Sequence, residues 1–200
     1  IMTSLESKGK ALKSYLSQGE KFSVVQAFQI IKQVLFAVKE VHEAGFLHLD
    51  IQDGNVFIKG SLSEEDKLVS LVDFGAARPV CEDGLCPAIR DRALFSTIGF
   101  ESPEIVGRND GTLRLGAESD LYSVGYLLLL MLTGKRYTQR ELDSANIGLY
   151  LSKRKLKKLN CPAHMADKVH QIISKALKKT PEDRYHSCEE MLADVSDLLH

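Results

Sequence analysis

The sequence predicts a mainly α chain with one small β insertion, and three observations carry that prediction. Apolar residues recur at helical steps between Val24 and Val41. The period then switches to short β-rich runs between Phe46 and Phe74. Helical patterning returns from Ser119 to the end of the chain. Asp50, Asn55 and Asp73 all fall inside the β insertion, each at the end of an apolar run.

Taken in order, the first twenty residues read as a linker around "SLESKGK" and a short helix near "ALKSYLSQG", stopped by Gly19. Ser23 then opens a long helix, with Gln26 at the position that completes a capping box. Val24, Phe28, Ile31, Leu35, Val38 and Val41 form its apolar stripe, and Gly45 supplies the stop. "FLHL", "VFIK" and "LVSLVDF" read as strands, the last two joined by the charged turn "GSLSEEDK". Residues 76–118 show no convincing period, and a loop of that length inside a compact domain is usually functional. Helices are expected over roughly 119–133, 138–152, 165–179 and 187–199. Ser187 with Glu190 reads as a second capping box, and Pro181 as the stop after the penultimate helix.

Composition narrows the function classes. Two hundred residues with 44% hydrophobic content bury one sizeable core. Lys plus Arg is 26 against 27 for Asp plus Glu, a net charge of -1, which argues against nucleic acid or an anionic membrane as primary partner. The run "LYSVGYLLLLMLTG" is shorter than the about 20 residues a bilayer requires and reads as a buried helix, so no transmembrane segment is expected. "IMTSLESKGK" has no apolar core of a signal peptide. The four cysteines are read as free thiols of a cytoplasmic protein, because "CEDGLC" and "CPAH" lack zinc-site spacing. Beginning with Ile rather than Met, the chain reads as a piece of something longer.

The chemistry of the β insertion is specific. An Asp carboxylate and an Asn carbonyl are hard oxygen ligands suited to Mg²⁺ carrying phosphate oxygens, a role open to Asp73 and Asn55. Gly75, after Phe74, permits an unusual backbone turn beside Asp73. Asp50 is free to orient a hydroxyl and accept its proton. Two metal holders and one base are what metal-assisted phosphoryl transfer requires. Taken singly, each residue also has a structural reading: Asp50 and Asn55 as turn caps, Asp73 as a strand end, His48 as a satisfied core histidine.

"HLDIQDGN" followed by "DFG" resembles the catalytic and metal-binding loops of eukaryotic-type protein kinases of the Ser/Thr kind, H-R-D-L-x-x-x-N and then D-F-G. "TIGFESPE" resembles the end of the family's activation segment, "SDLYSVG" the start of its buried central helix, and "TPEDRY" the stretch before its last helix. Five blocks in the family's order span nearly the whole chain.

The resemblance implies a protein-kinase-like C-terminal lobe over 1–200, helical, with a small β-hairpin carrying the catalytic and metal loops. Residues 1–20 would be the hinge and first helix. It implies ATP and Mg²⁺ as cofactors of the full-length protein, and a protein Ser/Thr hydroxyl as acceptor. Residue by residue, Asp50 matches the base, Asn55 and Asp73 the metal holders, and His48 the residue beneath the metal loop. Thr97 matches a hydroxyl near the base, and Asp120 a carboxylate that accepts catalytic-loop N–H groups. Glu104 and Arg184 match a buried ion pair.

Three departures stand out. Leu49 replaces the Arg of H-R-D, which in many kinases receives an activation-loop phosphate. Gln52 replaces a Lys beside the transferring phosphoryl, removing a cation but keeping a hydrogen-bond donor. The small N-terminal lobe, with its Gly-rich loop and strand Lys, has no counterpart in the sequence. The leading expectation is therefore the large lobe of a longer Ser/Thr protein kinase, with the isolated chain nearly inactive and the small lobe as its partner in the same polypeptide. The alternatives are a kinase-like (pseudokinase) binding or regulatory module, favoured by Leu49 and Gln52, and a small-molecule phosphotransferase, against which "SPE", "SDLYSVG" and Arg184 stand.

Overall fold

The computed structural model describes residues 9–62, 67–87, 100–107, 114–144 and 150–200. After a first short helix, α1 (Leu12–Ser17), Ser23 opens α2 (Val24–Glu43). Ser23 Oγ accepts the Gln26 N–H at 3.2 Å and Gln26 Oε1 accepts the Ser23 N–H at 2.9 Å, so the capping box closes in both directions. The inward face of α2, including Phe28, Ile30, Ile31, Val34, Leu35 and Val38, has no exposed surface. Burying each large side chain contributes roughly 1.5–3 kcal/mol.

Further along, Pro103–Gly107 forms α3 and Ala117–Thr133 forms α4. Every residue of α4 from Ser119 to Leu132 is buried, which is why its sequence is apolar all round rather than striped. It packs against α2 on one side and against α7 (Ala166–Ala176) on the other, while α8 (Cys188–Leu199) lies along α2. A Cβ at Gly125 would meet the Ala176 Cβ at 2.5 Å, so only glycine lets α4 and α7 approach this closely.

Of the helix expected over 138–152, residues 145–149 lie outside the described residues. Gln139–Ser144 forms α5, and a separate α6 spans Lys153–Lys158. Ser152 opens α6: its backbone is extended (φ -58°, ψ 152°) and its side chain accepts the Lys155 N–H. Ser187 likewise caps α8 through the Glu190 N–H at 3.2 Å. The Glu190 carboxylate turns instead to the His186 N–H and to Lys175, so the reciprocal half of that expected box is replaced.

The β insertion is a three-stranded antiparallel sheet in which β3 (Val56–Lys59) lies between β1 (Lys10–Ala11) and β4 (Leu68–Leu71). Val56 and Ile58 point into the core and Lys59 to solvent, the alternation of a half-buried strand. Two short ribbons accompany it: β2 (Phe46–Leu47) pairs with β5 (Arg78–Pro79), and β6 (Cys86–Pro87) pairs with β7 (Arg114–Leu115). The aperiodic 76–118 segment thus contains β5, β6, α3 and β7, all too short to impose a period on the sequence. Leu47, Leu49, Ala76, Cys86 and Leu115 form a second apolar cluster beneath these ribbons, apart from the main core. No helix among the described residues is long and apolar enough to cross a membrane.

Candidate active site

The site is assembled where the β2–β3 loop meets the start of α4. Asp120, in the first turn of α4 and fully buried, accepts the His48 N–H on Oδ2 and the Leu49 N–H on Oδ1, both at 2.8 Å. His42, near the end of α2, adds Nε2 at 2.8 Å from Oδ2. These contacts fix the loop rigidly enough for Leu49 to adopt a left-handed conformation (φ 59°), which a branched side chain rarely takes. Leu49 itself is buried in the second apolar cluster.

Beyond that turn, Asp50 carries two amide donors. Gln52 Nε2 donates to Oδ1 at 2.7 Å, and Asn55 Nδ2 donates to Oδ2 at 2.8 Å and to the Asp50 carbonyl at 2.9 Å. Burial pushes the Asp50 carboxyl above its ordinary value of 3.8, and the nearby Asp73 charge adds to this, while the two amides oppose it. His48 has no exposed surface, and its ring lies 4.9 Å from that of Phe74. Burial pushes its pKa below 6.5 against the pull of Asp120 and Asp50, which keeps the imidazole neutral.

Asp73 follows β4 and is exposed, as is Phe74. The unusual turn expected at Gly75 belongs to Asp73 instead, whose φ is 67°. Gly75 serves by lacking a Cβ, which would lie 3.1 Å from Asp73 Oδ1; its N–H donates to that oxygen at 3.2 Å. With its amide nitrogen committed to Asp50, Asn55 has its Oδ1 to offer a cation, and Asp73 its carboxylate. Both are hard donors of the kind Mg²⁺ prefers. No group of three or more His, Cys, Asp or Glu side chains among the described residues is arranged to hold a metal.

The other expected residues lie where they tie elements together. Glu104 in α3 pairs bidentately with Arg184 through Nη1–Oε1 at 2.8 Å and Nη2–Oε2 at 2.7 Å. Arg184 is 1% exposed and also donates to the carbonyls of Lys178, Lys179 and Glu118. Burial would raise the Glu104 pKa, but the Arg184 hydrogen bonds and charge overrule it and hold the carboxyl below 4.5. Thr97 lies outside the described residues.

Three participants escape sequence reasoning. His42 continues the helical step four residues after Val38, a register that marks it as inward-facing, and its Nδ1 lies 3.7 Å from Cys188 Sγ. Burial pushes that thiol up to about 12, so it stays protonated. Asp53, 2% exposed, accepts Arg136 Nη2 on both carboxylate oxygens, at 2.9 and 2.7 Å. Nothing in the sequence marks these two residues, 83 positions apart, as partners.

Comparison with known proteins agrees with this arrangement. A family model described as the protein kinase domain matches residues 1–195. The chain is 26% identical over 188 residues to the probable serine/threonine-protein kinase PknB of Lactococcus lactis, covering 94% of this chain and 28% of that protein. It is 28% identical over 184 residues to the serine/threonine-protein kinase PLK4 of Nematostella vectensis, covering 92% of this chain and 17% of that protein. It is 27% identical over 195 residues to the probable serine/threonine-protein kinase PknB of Corynebacterium glutamicum, covering 96% of this chain and 29% of that protein. The chain thus spans less than a third of each of these relatives. A loop held from below by a buried carboxylate, a second carboxylate on a strained turn and a family match along almost the whole sequence converge on one conclusion: the chain belongs to the protein kinase domain family.

Proposed function

We propose that this chain is the large lobe of a longer cytoplasmic protein kinase that transfers phosphate from Mg-ATP to a Ser or Thr hydroxyl of a protein substrate. The observation that carries this reading is Asp50, a carboxylate with a raised pKa held by the Gln52 and Asn55 amides. Asp50 orients the acceptor hydroxyl and takes its proton as the oxygen attacks the γ-phosphorus and ADP departs. A raised pKa makes Asp50 a better proton acceptor than an ordinary surface carboxylate. Asn55 and Asp73 would hold Mg²⁺, which when bound neutralises charge on the phosphates. Gln52 keeps Asp50 in place without supplying the cation the family usually has there. Alone, without a small lobe to cover the nucleotide, the chain is expected to transfer little or no phosphate.

The test uses the longer protein. Wild type is expected to phosphorylate a protein substrate, Asp50→Asn to retain Mg²⁺-dependent nucleotide binding without transfer, and Asp73→Ala to lose that binding. An unchanged nucleotide affinity in Asp73→Ala would remove Asp73 from the metal site. Nucleotide binding by wild type with no transfer to any substrate would favour a kinase-like binding module instead, which the replacement of Lys by Gln52 also suits.

A further inference from the structure

We infer that Arg136 is a positioning residue that sets the spacing between the two walls of the acceptor cleft, an inference that rests on the kinase reading above. A small cleft runs from Asp50 to Phe100 and Glu101, lined also by Leu49, Ile51 and Ile105. One wall is the Asp50–Asn55 loop and the other is the segment around Phe100. Arg136, just past the end of α4, touches both.

On the loop side, its Nη2 reaches both oxygens of Asp53, a carboxylate buried to 2% exposure between Asp50 and Asn55. On the far side, the guanidinium carbon lies 5.3 Å from the centre of the Phe100 ring, within cation–π range. Each wall is separately seated. The Asp53 carbonyl accepts the Lys13 N–H at 2.8 Å. The Phe100 carbonyl accepts Ser123 Oγ at 2.7 Å, and its ring lies 4.8 Å from Tyr126. Tyr126 in turn exchanges hydrogen bonds with the Tyr137 backbone, its hydroxyl accepting the N–H at 2.8 Å and donating to the carbonyl at 2.9 Å, which fixes the segment that carries Arg136.

Arg136 is therefore the direct bridge between a charged group on the loop and an aromatic face across the cleft. Its charge reaches Asp53 through Nη2 while its flat guanidinium lies near the Phe100 ring, a pairing that a Lys point charge serves less well. The side chain is itself 43% exposed, so its removal opens no cavity in the core.

Hydrogen exchange of the chain supplies a test that needs no enzymatic activity. In Arg136→Ala, amides of residues 50–55 and of residues 100–105 are both expected to exchange at least about fivefold faster, with Arg136→Lys in between. Faster exchange confined to one wall, or to neither, overturns the inference, and a uniform rise across α2 and α8 would show general destabilisation in its place. In the longer kinase, Arg136→Ala is expected to lower kcat for the protein substrate with KM for ATP unchanged. If wild type transfers phosphate and Arg136→Ala matches it in kcat, the positioning role is excluded. If wild type transfers none, the kinase reading fails while the exchange result still decides the coupling of the two walls.

Discussion

Asp120 accepts the backbone N–H groups of His48 and Leu49, 72 and 71 residues away, with one carboxylate oxygen for each. Asn at this position keeps the shape but turns an amide nitrogen toward one of those donors. At least one buried N–H is then unsatisfied, at a cost of about 1–3 kcal/mol. Urea unfolding of Asp120→Asn should show a lower midpoint, with faster exchange of the His48 and Leu49 amides before global unfolding.

Glu104 and Arg184 depend on each other. Truncating either to Ala leaves a buried charge without its partner and should cost about 3–5 kcal/mol. The double variant should be destabilised by less than the sum of the two, because the second truncation removes a charge already unpaired. The pair also predicts a pH dependence. The Glu104 pKa is lower in the fold than the ordinary 4.5, so its contribution is full above 4.5 and is lost as pH falls through the folded value. Glu104→Gln should therefore lose stability at neutral pH and show a flatter acid limb than wild type.

Leu49 sits where many kinases carry a phosphate-sensing Arg, and it is 7% exposed within an apolar cluster. Leu49→Arg would bury a cation against Leu47, Cys86 and Leu115, with an expected loss of about 3–5 kcal/mol in thermal or urea unfolding. The same packing would hold the 76–87 segment on the loop without a phosphate. Phosphatase treatment of the longer kinase is accordingly expected to leave its activity unchanged, and its abolition would refute this role for Leu49.

Gln52 offers a change in the direction of gain. Gln52→Lys restores a cation near the transferring phosphoryl and should raise kcat in the longer kinase by at least about tenfold. A positive charge also favours the ionised form of Asp50, so the acid limb of the activity profile should move to lower pH. Gln52→Ala removes a donor that opposes the raised Asp50 pKa and should move that limb upward. The pH–rate profiles of the three proteins separate these effects.

The parts of the fold written in local pattern were legible in the sequence: the Ser23–Gln26 box, the apolar face of α2 and the buried α4. The β3–β4 hairpin was legible too, because alternation in "VFIK" marks which side chains enter the core. The helix start at Ser152 was hidden, since nothing in the apolar spacing of 138–152 marks its extended backbone. At the site, residue types and spacing pointed to Asp50, Asn55 and Asp73. Their surroundings were not readable. The left-handed turn at Leu49 is held by tertiary hydrogen bonds to Asp120, that at Asp73 accompanies a local hydrogen bond from the Gly75 N–H, and the Asp53–Arg136 pair joins residues that share no local pattern.

The tethers of this site share one property: sequence separation. Asp120 to His48 spans 72 residues, Glu104 to Arg184 spans 80 and Asp53 to Arg136 spans 83. Closing a flexible loop of that length costs about 4 kcal/mol before any contact returns the expense. Each tether thus becomes favourable only after the helices have brought its ends together, and the site is among the last structures to consolidate. Substitutions at these pairs should therefore leave the refolding rate nearly unchanged and speed unfolding, giving a protein that reaches its native state normally but holds it for a shorter time.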